Sequence, residues 1–154
     1  MKIFLDTSAL IKLYHREHGT DELEELFSSS KITTVYLSEI AKIEFASTVW
    51  KKVRTKEISE PAAQTTLELF EEDFGKYTFI ATDSIVIEQA RFLISKYGMS
   101  GLRTLDGIQL STAVLISDQV DMFFTSDKLL KSLFEAENLK TELPNDIKGD
   151  TSNL

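Results

Sequence analysis

Four acidic residues of this chain lie among apolar or small side chains, outside its runs of charge: Asp6, Glu44, Asp106 and Asp127. A carboxylate in such surroundings is costly to desolvate unless it is paired or binds a metal ion. Divalent cations such as Mg²⁺ prefer oxygen ligands, and carboxylates commonly hold them. If the four side chains meet in one pocket, they could hold a cation that activates water to hydrolyse a phosphodiester bond.

Each of these acids also has a structural explanation. Asp6 could cap the helix that follows it, and Asp127 could stabilise a helix start or pair with a lysine one turn later. Asp106 could likewise favour a helix start or pair with Arg103. Glu44 has no basic residue three or four positions away, although a glutamate beside an apolar stripe often reaches solvent. The four acids together are therefore stronger evidence for a site than any one alone.

The composition limits the other kinds of site that the chain could carry. It contains no cysteine, which excludes disulfides, thiolate metal sites and a cysteine nucleophile. Its net charge is −8, so a function on nucleic acid would need bound cations to neutralise the phosphates. A run of only three apolar residues, 3–5, leads into Asp6, and no apolar run approaches membrane-spanning length. We therefore expect a soluble, cytoplasmic protein without a membrane partner.

Strands and helices alternate along the predicted structure. Apolar and β-branched runs predict strands at 2–5, 31–37, 77–81, 121–125 and 139–143. Helical patterns lie between them, which indicates an α/β layer fold with a mostly parallel sheet. Asp6 and Asp127 then follow strands at the same edge of the sheet, where such folds gather functional groups. We expect a single domain over 1–143, followed by a polar, flexible tail over 144–154.

Capping residues mark where the predicted helices begin. Ser38 is expected to begin a helix over about 38–54, and Ser59 and Asp83 to begin two more. A further helix is expected near 104–117. The apolar stripe of the helix over 38–54 is predicted to include Ile40, Ile43, Ser47 and Trp50.

The segments that contain the acids form an ordered set: FLDTSALIKLY (4–14), LSEIAKIEF (37–45), LRTLDGIQLSTA (102–113) and FFTSDKLL (123–130). In order and spacing they resemble the PIN-domain family, particularly the VapC-type toxins of bacterial and archaeal toxin–antitoxin pairs. The resemblance runs from about residue 2 to 143. The opening motif is only moderately specific, whereas all four in order are highly specific. One departure is Gly107, where an alanine commonly follows the third acid.

This resemblance implies a three-layer α/β/α fold around a parallel sheet. It implies RNA cleavage that depends on Mg²⁺ or Mn²⁺, with Asp6, Glu44, Asp106 and Asp127 at the acidic positions of the family. It also implies a homodimer held by a cognate antitoxin. We therefore expect a metal-dependent endoribonuclease that is the toxin of a type II toxin–antitoxin pair.

The residues of this site can be given roles as a hypothesis. Asp6 and Asp106 would be the main metal ligands, directly or through water, and Glu44 and Asp127 would complete the site. Hydroxyl groups that could hydrogen-bond these ligands, or cap helices instead, belong to Thr7, Ser8, Thr125 and Ser126.

RNA would also need positive charge outside the metal pocket. Arg103 is the best single candidate for a phosphate contact because it lies beside Asp106. Basic residues within 51–56 and 12–18 are plausible further contacts, although lysines at helix ends are more often solvated and favoured there by the helix dipole.

Two other functions remain open at this point. A catalytically silent PIN-like module that binds RNA or protein is the main alternative, and the absence of divalent-metal binding would favour it. A phosphatase with an aspartyl nucleophile also begins with an acid at a strand end. That chemistry usually requires a second Asp two positions later, where this chain has Ser8.

Overall fold

Five parallel strands form the central sheet, in the order β3–β2–β1–β4–β5. The structure is a computed structural model that describes residues 1–29 and 31–147. Successive strands are added on one side of β1 and then on the other, so the order reverses between β1 and β4. Ligands of open α/β sheets bind at such a switch point. The strands are β1 (Lys2–Leu5), β2 (Thr34–Ser38), β3 (Thr78–Ile80), β4 (Met122–Phe124) and β5 (Thr141–Glu142).

Helices cover both faces of this sheet. None of those within residues 1–29 and 31–147 is both long enough and apolar enough to cross a membrane. The helices are α1 (Thr7–Leu10), α2 (Thr20–Ser28), α3 (Ala41–Arg54), α4 (Glu60–Glu72), α5 (Ser84–Tyr97), α6 (Thr104–Leu115) and α7 (Lys128–Ala136). Short 3₁₀ turns lie at Ile11–Leu13, Asp73–Lys76, Gly98–Ser100, Ser117–Gln119 and Pro144–Asp146.

Two hydrophobic cores lie on opposite faces of the sheet. Successive strand residues point to opposite faces, so Ile3 and Leu5 of β1 enter one core while Phe4 enters the other. The first core contains residues of α1, α2, α3 and α4, and the second contains residues of α5, α6 and α7. The predicted three-layer α/β/α fold around a parallel sheet is therefore confirmed.

Two of the three predicted helix caps are confirmed. The Ala62 N–H donates to Ser59 Oγ at 3.2 Å, and the Val86 N–H donates to Asp83 Oδ1 at 3.0 Å. The predicted cap at Ser38 is wrong. Ser38 is the buried last residue of β2, and α3 begins only after a turn at 39–40.

The buried face of α3 also differs from the prediction. Ile43 was placed in the apolar stripe but is 72% exposed, whereas Phe45 is fully buried. Phe45 is held between two aromatic rings, with its ring centre 4.2 Å from that of Phe70 and 5.4 Å from that of Tyr14. This packing sets the rotation of α3 about its axis, and Glu44 consequently lies at the boundary of the core.

Gly107 allows α5 and α6 to pack closely. A Cβ atom at Gly107 would lie 2.8 Å from Cδ1 of Ile94, closer than such atoms normally approach. The glycine that departs from the family pattern therefore has a packing role, because an alanine would require the Ile94 side chain to move.

The end of the chain is only partly described. Residues 144–147 belong to the segment predicted to be a polar tail, yet Pro144 is buried and Ile147 packs against the first core. The remainder of that predicted tail, 148–154, lies outside the described residues.

Candidate active site

All four predicted acids line one pocket of about 300 Å³. Asp6 directly follows β1, and Asp127 lies shortly after β4, so both come from the switch point of the sheet. Glu44 and Asp106 come from the first turns of α3 and α6. Carboxylates from four remote segments thus converge at the edge where parallel sheets carry their ligand sites.

Asp6 is enclosed and held by three hydrogen-bond donors. Ser8 Oγ donates to Oδ1 at 2.7 Å, the Ala9 N–H donates to Oδ1 at 2.9 Å, and Thr125 Oγ1 donates to Oδ2 at 2.5 Å. The pKa of Asp6 is raised from 3.8 to about 7, mainly by burial and to a smaller extent by the nearby charge of Glu44, although the three donors act in the opposite direction. The bond from Ala9 also caps α1, so the structural explanation for Asp6 holds alongside the chemical one.

Glu44 is half-buried and its carboxylate is fixed on one oxygen. Thr7 Oγ1 donates to Glu44 Oε1 at 3.0 Å, and Gln109 Nε2 donates to the same oxygen at 2.7 Å. Gln109 Nε2 also donates to Thr7 Oγ1 at 3.1 Å, which closes a three-membered network. Burial raises the pKa of Glu44 despite these donors, with a smaller contribution from the charge of Asp106.

Asp106 and Asp127 are more open to solvent. Burial raises the pKa of Asp106, the charge of Asp127 raises it further, and the charge of Arg103 counteracts both. Asp127 is exposed and caps α7 by accepting the Leu130 N–H at 2.8 Å on Oδ1. Asp127 therefore stabilises the start of α7, as the structural alternative predicted. It also lines the pocket.

The hydroxyl residues next to the acids join the ends of β1 and β4. Besides donating to Asp6, Ser8 Oγ accepts the Ser126 N–H at 2.8 Å, and Thr125 Oγ1 accepts the Asp127 N–H at 3.1 Å. Ser8 and Thr125 therefore hydrogen-bond a predicted metal ligand, as their hypothetical roles require. Ser126 differs, because its Oγ is buried without a hydrogen-bond partner.

The donor set fits a hard divalent cation that keeps part of its water shell. Within residues 1–29 and 31–147, no group of three or more acidic or histidine side chains is arranged to hold a metal ion directly. Two buried oxygens without partners, Gln109 Oε1 and Ser126 Oγ, belong to residues of the pocket lining. Water bound to Mg²⁺ could donate to such oxygens, and Mg²⁺ characteristically retains several waters.

Sequence reasoning missed some of the residues in the pocket lining. Lys52 is not one of these, because it belongs to the basic residues within 51–56 that were expected as plausible phosphate contacts. Gln109 was missed, although it lies three positions after Asp106, so helical spacing places it near the face of that acid. That spacing was the available signal. Arg103, the favoured phosphate contact, is exposed and is not among the residues that line the pocket.

Solved structures of known proteins share this fold. FitAcB from Neisseria gonorrhoeae is 19% identical, with a TM-score of 0.66 over 92% of this chain and 97% of that chain. VapBC2 from Rickettsia felis, bound to a promoter DNA fragment, is 18% identical, with a TM-score of 0.62 over 93% and 98%. VapC20 of Mycobacterium tuberculosis, a toxin that cleaves the sarcin–ricin loop, is 18% identical, with a TM-score of 0.63 over 84% and 93%.

The family of the chain follows from the match of its sequence to a family model. No curated protein matches the chain significantly. The family model of the PIN domain, however, matches residues 3–133. This span contains all four acids and the other described residues that line the pocket. The chain therefore belongs to the PIN-domain family.

Proposed function

We propose that this protein is a metal-dependent endoribonuclease that hydrolyses RNA phosphodiester bonds. The observation that carries the proposal is the convergence of Asp6, Glu44, Asp106 and Asp127 on one pocket, with Asp6 buried. Without a bound cation, burying these carboxylates and bringing them close together lowers the stability of the folded protein. A function that binds a cation there provides a reason for the arrangement.

Asp6 and Asp106 would be the main ligands of Mg²⁺ or Mn²⁺, directly or through water, with Glu44 and Asp127 completing the site. The cation would supply a more acidic bound water and would neutralise charge on the phosphate. The residues of the chain supply the orientation. Donors from Ser8, Ala9 and Thr125 fix both oxygens of Asp6, and Thr7 and Gln109 fix one oxygen of Glu44.

We further propose that the protein is the toxin of a type II toxin–antitoxin pair, that a cognate antitoxin covers its pocket, and that it acts in the cytoplasm as a homodimer. Structures of relatives with their antitoxins, the VapBC and FitAB complexes, support an antitoxin partner. An acidic pocket on a protein of net charge −8 would also accept a basic side chain of such a partner through charge-assisted hydrogen bonds.

The test is RNA cleavage by the wild-type protein and by Asp6→Asn and Asp106→Asn, with Mg²⁺ or Mn²⁺ and with a chelator. We expect cleavage by the wild type but by neither pocket variant, and its loss in the chelator. Asp83→Asn is the matched control, because Asp83 caps α5 outside the pocket and asparagine can retain that cap. Undiminished cleavage by either pocket variant would overturn the assigned roles.

A catalytically silent binding module is the second candidate. It is favoured by the finding that no three acidic or histidine side chains in 1–29 and 31–147 form a direct metal-binding group. Calorimetric titration with Mn²⁺ separates the two functions. Binding that is lost in Asp6→Asn supports the nuclease, whereas absence of binding to the wild type supports the module.

A further inference from the structure

Among residues 1–29 and 31–147, Lys52 is the one basic residue that lines the acidic pocket. It lies on α3 with Glu44 and Thr48, at intervals of four residues, so all three occupy one face of the helix. The helix rise separates Glu44 from Lys52 by about 12 Å along its axis. Lys52 therefore lines the pocket about two turns of α3 away from Glu44.

Ion pairs hold Lys52 in this position. Its Nζ lies 3.4 Å from Glu17 Oε2 and 3.8 Å from Glu57 Oε1, and its side chain is 13% exposed. Glu17 also lines the pocket, and its other oxygen, Oε1, accepts a hydrogen bond from Lys12 Nζ at 3.1 Å. Lys12 Nζ in turn donates to the His18 carbonyl oxygen at 2.6 Å. Lys52 thus belongs to a chain of charges that begins at the buried Lys12 and ends at the exposed Glu57.

The Lys52 ammonium group can bind an anion as a further partner. Lys12 and Lys52 carry two positive charges and Glu17 and Glu57 two negative ones, so the four side chains together carry no net charge. A lysine ammonium has three N–H donors, which the two carboxylates at 3.4 and 3.8 Å do not exhaust. Burying this ammonium group without a partner would be costly. Its distance of 3.4 Å from Glu17 is long for an ion pair and leaves room for another acceptor.

We propose that Lys52, paired with Glu17 and Glu57, is a phosphate-binding subsite that contacts the RNA backbone beside the scissile bond. The proposal rests on the endoribonuclease function and adds to it a residue that binds the substrate. RNA is the class of ligand that fits, because its backbone presents a second phosphate when one phosphate lies among the acids. Arg103 would then contribute little, since it lies outside the pocket lining.

The experiment measures binding of a fluorescently labelled single-stranded RNA by anisotropy, over a range of salt concentrations with Mg²⁺ present. It uses the full chain in the Asp6→Asn background. Lys52→Gln is compared with Lys51→Gln, which removes the same charge from the adjacent, exposed position on α3. For Lys52→Gln we expect the Kd to rise about tenfold, since a charge-assisted hydrogen bond is lost. The slope of log K against log salt should fall by about 0.7, the value for one phosphate of a single strand.

Two further variants separate a substrate contact from a purely structural ion pair. Lys52→Arg keeps the charge and should bind RNA within about twofold of the parent protein. Glu17→Gln breaks the same ion pair but leaves Lys52, and it should bind RNA at least as tightly as the parent. If the ion pair acts only by holding the fold together, Lys52→Gln and Glu17→Gln would instead weaken binding alike.

Equal RNA affinity and salt slope for Lys52→Gln and Lys51→Gln would overturn the subsite. Cleavage by the protein with an intact Asp6 is measured alongside, so that the two proposals can fail separately. Cleavage without a specific effect of Lys52→Gln leaves the nuclease and removes the subsite. Specific loss of binding without any cleavage leaves the phosphate subsite and removes the catalytic function.

Discussion

The inner and outer halves of the acidic pocket are held very differently. The inner half, Asp6 and Glu44, is fixed by hydrogen bonds from the side chains of α1, α6 and the end of β4, together with one backbone N–H. The outer half, Asp106 and Asp127, is more exposed, and the one hydrogen bond described above for its carboxylates is the cap of α7. Two acids are therefore oriented by the fold, and two have more freedom to adjust.

The two halves of the pocket would respond differently to a bound cation and to the phosphate of a substrate. A preorganised inner half fixes where positive charge is most favourable, because its donors need not rearrange when a cation binds. An adjustable outer half can accept the coordination that a partly hydrated cation and a phosphate impose. We expect substitutions in the inner half to affect catalysis and stability more than those in the outer half.

The largest expected difference is in catalysis. Asp6→Asn should lower the rate of RNA cleavage by about 10²–10⁴-fold, the range for a positioned group that assists proton transfer or activates water. Asp127→Asn should lower it less, because an exposed carboxylate can be replaced in part by water. Cleavage rates at saturating Mg²⁺ test this, and an equal or larger loss for Asp127→Asn would reverse the proposed ranking of the two halves.

The second difference is in the pH dependence of stability without metal. Below pH 3.8 Asp6 is protonated in both folded and unfolded protein, but between 3.8 and about 7 only the folded protein retains this proton. The free energy of unfolding should therefore fall as the pH rises through this window, by about 4 kcal/mol from Asp6 alone. Asp106, whose pKa is also raised, adds a further decrease of the same sign.

Urea denaturation of the wild type and Asp6→Asn in chelator, from pH 4 to pH 8, measures this contribution. Asparagine cannot titrate, so the variant should lose less stability as the pH rises, while Glu44 and Asp106 remain in both proteins. Parallel stability curves would show that Asp6 does not hold its proton in the folded state. Addition of Mn²⁺ at pH 7 should stabilise the wild type more than the variant.

The third difference concerns the support of Glu44. Gln109→Met keeps the side-chain length but removes the donor to Glu44 and the unpartnered carbonyl. We expect Mn²⁺ to bind about 10–100-fold more weakly, the usual effect of losing a group that orients a ligand. Ser111→Ala is the matched control, because Ser111 is a buried polar residue of α6 that donates to the Val86 carbonyl oxygen. Calorimetry should give this control near wild-type affinity, and equal losses in both variants would indicate a general effect on α6.

The smallest expected effect separates the two roles of Asp127. Asp127→Ala removes the cap of α7 and should lower the free energy of unfolding by about 1 kcal/mol, whereas Asp127→Asn should retain most of it. Both variants remove the carboxylate and should reduce cleavage to a similar extent. Thermal denaturation and cleavage assays on the same samples test this. Unequal cleavage by the two variants would tie activity to the cap rather than to the charge.

The location of the acids could be predicted because it depends on local signals. Asp6 ends a short apolar strand, and Asp127 closely follows another, so both had to reach the same edge once the strands were parallel. The caps at Ser59 and Asp83 were likewise readable from a residue and its near neighbours. The family motifs added Glu44 and Asp106, whose helices carry no local sign that they approach that edge.

What the sequence determined by itself was the order of the elements and the edge at which the acids gather, since strand ends and helix starts are local. Tertiary packing alone decided which helix face turns inward. Ile43 and Phe45 are both apolar and lie about 200° apart around α3, so sequence could not choose between them. The fit of Phe45 against Phe70 made the choice. That same rotation of α3 brings Glu44 to Gln109 and Lys52 to the pocket. A side chain can contact a partner from a remote part of the chain only if packing turns its face of the helix towards that partner.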